Sequence, residues 1–509
     1  MTGEKRSILT LPNKRGGETS ESLEEKSVSI GLFDLLLPGR QFIVHHKVAE
    51  VGQVSLTTEF LLRLLYSVDG LEEEQIAQFF GFNATEMSFA VNEAEARDFV
   101  ERQDGCVWLS DAGYALFKDS DRPQIFEVLK RSEKAGFDLL SMAPCERDNL
   151  SDFERALPEL DIVDAGRVGM ASQEVPDAFR RHYRDFVGRK DRDVAAGVRR
   201  SLYSIDEVIP ADRFSSVVPV LAVANVLKPG EPAAVLEAWR NGHELEDRGS
   251  VVHSVATFID NLKTVRQTED ERAYRLLLEI APDYLKEYRT RDGLSVNRFF
   301  KETASRAGEL RADRRTVGIV GPLYSPENIE RIRNALEYSS DPGSDGRAGD
   351  PVWVVPGSPV WGASRALLTL LDSVAQACYP GSVASKTAIA VLRDRSQKHL
   401  RKAFNQVVIR SDDGEIPSSL EILLVPHRVV AVVVNAPIGL GRGFPVPLGV
   451  LSFEQEVVRR AHEFLEGKLR TRTLDSGEQI DWHALLLWEE SSQQEPATGP
   501  ARPGSPETT

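Results

Sequence analysis

Residues 57–117 read TTEFLLRLLYSVDGLEEEQIAQFFGFNATEMSFAVNEAEARDFVERQDGCVWLSDAGYALF, and the order of signals in this stretch decides the local fold. Thr57 or Thr58 can cap a helix whose apolar positions, Phe60, Leu61, Leu64, Leu65 and Val68, recur at helical spacing. Asp69-Gly70 ends it. Leu71 to Phe80 reads as a second, short helix with Ile76, Ala77, Phe79 and Phe80 apolar. Gly81 supplies a tight turn, and Asn83 caps a third helix predicted from Ala84 to about Arg102, with Met87, Val91, Ala94, Phe99 and Val100 inside. Asp104-Gly105 turns the chain into a strand, Cys106 to Leu109, and Ser110 to Leu116 begins another helical turn.

Helix, helix, turn, helix, strand and a Leu-Ser-x-x-Gly wing resemble the winged helix-turn-helix superfamily, including small bacterial regulators of the MarR and PadR type. The likeness covers about 60 of 509 residues and is one of fold. It implies a third helix laid in the DNA major groove. The charge opposes that use. Residues 57–117 hold three basic side chains, Arg63, Arg97 and Arg102. They hold twelve acids: Glu59, Asp69, Glu72, Glu73, Glu74, Glu86, Glu93, Glu95, Asp98, Glu101, Asp104 and Asp111. Phosphate contacts need Lys or Arg, so the expectation is a module that contacts a partner protein.

The whole chain has a net charge of −16, which excludes a general polyanion binder and sends any nucleic-acid contact to a local basic face. Two stretches reverse the sign. Ala178–Arg200 sets eight bases, among them Arg180, Arg181, Arg184, Arg189 and Lys190, against three acids, with Tyr183 and Phe186 between them. Arg393–Lys402 sets Arg393, Arg395, Lys398, Arg401 and Lys402 against Asp394 alone. These ten named residues are the expected nucleic-acid contacts. The alternative is that each stretch is a solvated face pairing with the chain's own acids.

Length and texture predict an α+β multidomain protein. Residues 1–27 and 491–509 read as disordered tails, and 341–350 as a surface loop. Residues 28–142 read as the winged-helix domain, starting with a short extended stretch at Gln41–Val51. Residues 143–310 read as a mixed middle domain with the first basic stretch, which opens as helix and passes into strand at Ser215–Leu227. Residues 311–470 alternate strand and helix, which implies an α/β domain with a mixed sheet. Strands are expected at Thr316–Val320, Val352–Val355, Lys386–Leu392, Gln406–Ile409, Leu420–Val425 and Val429–Val434. Helices are expected at Pro326–Tyr338, Ala363–Ala377 and Phe453–Leu469, and a loop at Gly439–Gly449.

That last region, with Pro426-His427-Arg428 between two apolar strands, is similar in outline to the phospholipase D-like phosphodiesterases. The resemblance implies a His-x-Lys followed by an Asp, usually in two copies, with His as nucleophile or acid and Lys on the phosphate oxygens. Here Val429 stands in the Lys position and Val434 in the Asp position. The nearest literal match, His45-His46-Lys47, lies far upstream in the first domain. The reading is a degenerate, non-catalytic version. Its rival is a nuclease or phosphodiesterase using His427, the single catalytic candidate, with Arg428, Arg442 or Lys398 converging on it. A transcription regulator is the third reading and needs a basic third helix, which is missing.

No Walker lysine, GxSxG elbow or dinucleotide fingerprint occurs, so no cofactor is expected. No metal is expected either: Cys106, Cys145 and Cys378 are far apart, and His243, Glu244, Glu246, Asp247 and His253 read as a solvated helix end. The cysteine usage and the lack of an apolar leader fit a cytoplasmic protein. The apolar runs Val217–Leu227 and Val429–Leu440 are too short to span a bilayer. The expected role is therefore a non-catalytic prokaryotic accessory protein of a DNA-related complex (repair, regulation or antiviral defence).

Overall fold

The structure, a computed structural model, describes residues 26–52, 56–117, 123, 125–162, 166, 169–187, 199–240, 242, 244–306, 308–339, 350–379, 388–410 and 415–469. The two expected tails, apart from residues 26 and 27, and the 341–350 loop, apart from Asp350, lie outside these residues. The described chain mixes helices and sheets, an α+β protein.

Its first element, β1 (Ser27–Gly52), is one strand of 26 residues. A helical module follows: α1 (Leu56–Ser67), β2 (Leu71–Glu72), α2 (Glu73–Phe80), α3 (Ala84–Ala96), β3 (Val100–Gln103), β4 (Cys106–Leu109) and α4 (Asp111–Ala115). The chain returns in β5 (Ile125–Asp138), antiparallel to β1 from Gly52↔Ile125 to Gly39↔Asp138. β6 (Arg199–Asn225) takes the other edge of β1, from Val51↔Arg199 to Ser27↔Asn225, and β7 (Ala233–Val235) completes the order β5-β1-β6-β7. From Gly39 to Gly52 the three strands make an arm roughly 45 Å long, at about 3.4 Å per residue. The module is inserted at the end of this ladder where Gly52 and Ile125 pair.

Along the arm, side chains alternate between faces. Phe42, Val44, His46 and Val48 are buried, and the helix Ala171–Arg181 packs on that face with Val175, Ala178 and Phe179. In the upstream His45-His46-Lys47, His46 is a core histidine 5.2 Å from the Phe179 ring, while His45 and Lys47 are half-buried on the other face, where Lys47 pairs with Asp206 at 3.2 Å. The short strand expected at Gln41–Val51 is thus half of a much longer one. Its register with β6 shifts at Ser29/Gly31, Arg40/Phe42, His45/His46 and Lys47/Val48, the last two by an extra residue on β6, and the half of β1 before Gln41 is buried on both faces and lacks the alternation that marks the rest. The basic stretch is also not one helix. It ends at Arg181, resumes over Tyr183–Val187, and Arg199 and Arg200 open β6.

The module has its own core of Leu61, Leu62, Leu65, Ile76, Met87, Val91, Ala94, Val100, Val107 and Leu109. Its sheet order is β2-β4-β3. Asn83 and Glu86 form a reciprocal cap on α3, each side chain accepting the other's backbone N–H, at 2.9 and 3.0 Å. Gly81, with φ +69°, ends α2. Two boundaries differ from expectation. Leu71–Glu72 pairs as a strand, and α3 stops at Ala96 because Asp98, at φ +60°, reverses the chain and sends Val100–Gln103 into a hairpin.

After a small hairpin, β8 (Arg289–Thr290) and β9 (Gly293–Leu294), the chain builds a second large sheet. Its strands are β10 (Thr316–Val320), β11 (Val352–Val354), β12 (Ile389–Leu392), β13 (Gln406–Ile409), β14 (Leu420–Val425), β15 (Val429–Ala436) and β16 (Val446–Ser452), in the order β10-β16-β15-β14-β11-β12-β13. Pairs β11–β12 and β12–β13 are parallel and the others antiparallel. β16 occupies the expected loop. Gly449 permits it, because a Cβ there would collide with the Val432 carbonyl on β15.

Both faces of this sheet are covered. Ile422, Leu424, Val430, Val432 and Val434 face one core with the helices Gly249–Asn261, Thr268–Ile280, Val296–Ser305 and Gln455–Leu469. Leu423, Val425, Val429, Ala431 and Val433 face the other with Pro326–Tyr338 and Arg365–Cys378. The first core also takes Ile30, Phe33, Leu35 and Leu37 from β1 and Val218 and Val220 from β6. The packing therefore redraws the expected boundaries at 142/143 and 310/311. Helices assigned to a middle domain form one layer of the C-terminal sheet, and the N-terminal strand runs into the same core.

Candidate interaction surfaces

The module's charge is settled by pairing. Arg63 bridges Glu59 at 3.0 Å, Arg97 bridges Glu93 at 3.6 Å, and Arg102 holds Glu73 at 2.6 Å together with Glu95 and the Asn92 side-chain oxygen. All three arginines are thus engaged by the module's own groups, and the remaining carboxylates dominate its surface. The outer face of α3, at Thr85, Ser88, Phe89, Asn92 and Glu95, is exposed and carries no base. Large apolar side chains are exposed as well: Phe60, Tyr66, Phe79, Phe89, Trp108 and Tyr114. A DNA reader would show the reverse arrangement.

His427 sits on the tight turn between β14 and β15, with φ +61°. Its carbonyl accepts the Gln455 side-chain N–H at 3.0 Å, and its ring lies 6.2 Å from that of His462. The positions that a phosphodiesterase fills with Lys and Asp are Val429 and Val434, both buried in the sheet. Among the described residues, Arg428, Arg442 and Lys398 do not converge on His427. Arg428 donates to the carbonyls of Ala377 at 2.7 Å and Leu336 at 2.6 Å, tying the ends of two helices. Arg442 donates to the carbonyls of Lys263 and Asp260. Arg393 leaves β12 at the end of the sheet where Leu420 starts β14, because β11 runs against β14 and β12 runs with β11. Lys398 follows it there, and Arg442 follows the far end of β15. His427 is at the opposite end, roughly 17 Å away along a six-residue strand.

The two basic stretches are also distinct. Arg180 pairs with Asp177 at 2.7 Å, Arg181 is exposed, and Arg184 lines a cleft at the base of the arm. Arg189 and Lys190 lie outside the described residues. In the second stretch, Arg395, Lys398, Arg401 and Lys402 are exposed and Arg393 is half-buried. Its inner side is stapled. Gln397 donates to the Ser358 carbonyl, and His399 donates from Nε2 to the Trp361 carbonyl at 2.7 Å. Burial pushes the His399 pKa down, as for a neutral core histidine.

Sequence reasoning missed two buried ionic centres. In the cleft at the arm's base (about 870 Å³), Arg248 pairs with Asp138 at 3.0 Å, donates to the Pro144 carbonyl and lies 5.0 Å from the Trp239 ring. Asp138 also accepts the N–H groups of Leu140 and Ser141. Asp138 is buried at the end of β5 and Arg248 arrives from 110 residues away, so no local spacing announces them. The second is Glu421 on β14. It is fully buried and accepts from the indoles of Trp353 at 3.2 Å and Trp361 at 3.0 Å, and from Asn435 at 3.0 Å. Desolvation pushes its pKa up to about 7 against the opposing pull of those hydrogen bonds. An acid inside an apolar strand was the available signal.

Among the described residues, no three His, Cys, Asp or Glu side chains gather so as to hold a metal ion. His243 is not among the described residues and His253 is exposed on its helix. No helix of the described chain is long and apolar enough to cross a membrane. Comparison with known protein families, curated proteins and solved structures gives no match.

Proposed function

We propose that this chain is a non-catalytic accessory protein of a prokaryotic DNA-related complex, acting by binding. In this reading residues 57–117 are a winged-helix domain that contacts a partner protein. The three-stranded sheet order β2-β4-β3 and the hairpin after the third helix support the fold assignment. The observation that carries the functional half is the internal pairing of Arg63, Arg97 and Arg102, which leaves a third helix with no cation to offer a phosphate. The C-terminal sheet is read as a phospholipase D-like domain without its chemistry, since Val429 and Val434 replace the charged pair that the mechanism needs.

Nucleic-acid contact is assigned to the exposed bases of the two stretches, Arg180, Arg181 and Arg184 on one and Arg395, Lys398, Arg401 and Lys402 on the other. The test is salt-dependent binding of the full chain to duplex and single-stranded DNA. Arg180→Glu/Arg181→Glu should weaken binding and flatten the salt slope, and Phe89→Ser on α3 should change neither. Binding without a salt slope, or none at all, would sink the nucleic-acid part. Loss of DNA binding in Phe89→Ser would sink the assignment of α3.

A further inference from the structure

Three of the module's exposed rings, Tyr66, Tyr114 and Trp108, gather around Asp69-Gly70. Tyr66 stacks on Phe117 with centroids 4.2 Å apart and planes 9° from parallel, and lies 6.2 Å from Tyr114. The Tyr114 hydroxyl donates to Asp69 at 2.5 Å. Next in sequence to Asp69, Gly70 has φ +68°, and the Trp108 ring lies so close against it that a Cβ would collide. Trp108 stands opposite Glu101 across the β3–β4 pair, which puts that carboxylate beside the ring on the same face. Tyr66, Trp108 and Tyr114 are 45%, 37% and 41% exposed, and Asp69, Glu101 and Asp111 are exposed around them.

Tyr and Trp rings held rigidly at a surface are the residue types that carry binding energy at protein interfaces. Their rim here is acidic. A guanidinium matches both features, since it lies flat on a ring and donates in pairs to carboxylates, whereas a lysine ammonium does only the second as a point charge. We infer that this face, on the hairpin side of the module, is the docking site for an arginine-rich segment of a partner protein. The inference rests on the proposed reading of the module as a protein contact and adds the location and chemistry of that contact. Charge complementarity selects the occupant: twelve acids against three internally paired arginines favour a basic partner over an acidic or neutral one.

The experiment titrates the full chain against a fluorescent arginine-rich peptide, its lysine counterpart and a DNA duplex. The arginine peptide should bind about five- to tenfold more tightly than the lysine one, and the duplex should not compete for the site. Trp108→Ser should weaken the arginine peptide about tenfold. Glu101→Gln, a change of charge on an exposed strand, should weaken it less and reduce its salt dependence without altering the unfolding midpoint. Equal affinity for both peptides, unaffected by Trp108→Ser, would overturn the aromatic site while leaving the module a protein contact. So would self-association of the chain that Trp108→Ser abolishes, because the occupant would then be a second copy. Duplex binding at the module, lost in Trp108→Ser, would overturn the protein-contact reading itself.

Discussion

The Asp34 carboxylate accepts the backbone N–H of Arg365 at 2.6 Å, joining the N-terminal strand to a helix 331 positions away. It also accepts the Ser364 hydroxyl at 3.2 Å, and the Asp34 N–H donates to the Ala363 carbonyl at 2.6 Å. Ser364 caps the helix Arg365–Cys378 by accepting the Ala366 N–H, and Asp34 reinforces that cap from a distant part of the chain. Burial raises the Asp34 pKa, against the opposing pull of the Arg365 N–H and guanidinium and the Ser364 hydroxyl.

Asp34→Ala should therefore cost about 0.5–2 kcal/mol, the usual range for a lost capping acceptor. Asp34→Asn, which keeps an acceptor, should retain most of the stability. Urea unfolding of both variants beside the exposed control Asp152→Ala checks this. A loss for Asp34→Ala no greater than for the control would show that the weld is not structural.

How much of this was legible in the sequence divides by the range of the interaction. The module's helices were readable because their signals are local: Asn83 three residues before Glu86, Gly81 at a left-handed turn, Leu61 and Leu65 one helical turn apart. The C-terminal strands were readable because Leu420–Val425 and Val429–Ala436 are buried on both faces and so are almost wholly apolar. The arm was not. Its strands have one covered face and one wetter face, and extra residues on β6 shift the pairing against β1. Asp34 and Asp138 look like surface acids in sequence, and Glu421, though it interrupts an apolar strand, announces no partner. Only the fold brings Arg365, Arg248 and the two indoles to them.

Glu421 makes stability depend on pH in an uncommon direction. Its folded pKa is about 7 and the ordinary glutamate value is 4.5. Between those values the unfolded chain releases a proton that the folded chain keeps, so stability falls as pH rises, and the contribution is constant above about pH 7. At about 1.4 kcal/mol per unit, the loss is on the order of 3 kcal/mol across the window. The difference in unfolding free energy between wild type and Glu421→Gln, measured from pH 4.5 to 7.5, should reproduce that slope. A difference that stays flat would mean that Glu421 is already ionised throughout.

The cysteines should separate into two classes. Burial pushes the Cys145 and Cys378 thiols up to about 11, with Cys145 further engaged by the Ser216 hydroxyl at 3.2 Å. Cys106 is only half-buried on β4. Thiol titration at pH 8 should find Cys106 reacting in the folded protein and the other two only on unfolding. Rapid native labelling of Cys145, read by peptide mapping, would contradict the burial of its thiol against Ser216.

The claim that this protein binds rather than cleaves is tested most directly by phosphodiester hydrolysis. Purified full-length chain and His427→Ala would be assayed side by side on duplex DNA, single-stranded DNA and a chromogenic phosphodiester. Because Val429 and Val434 fill the positions of the phosphate-holding lysine and its acid, and Arg428 is tied to helix carbonyls, both proteins should give the same background rate. Hydrolysis by the wild type that His427→Ala abolishes would contradict the account.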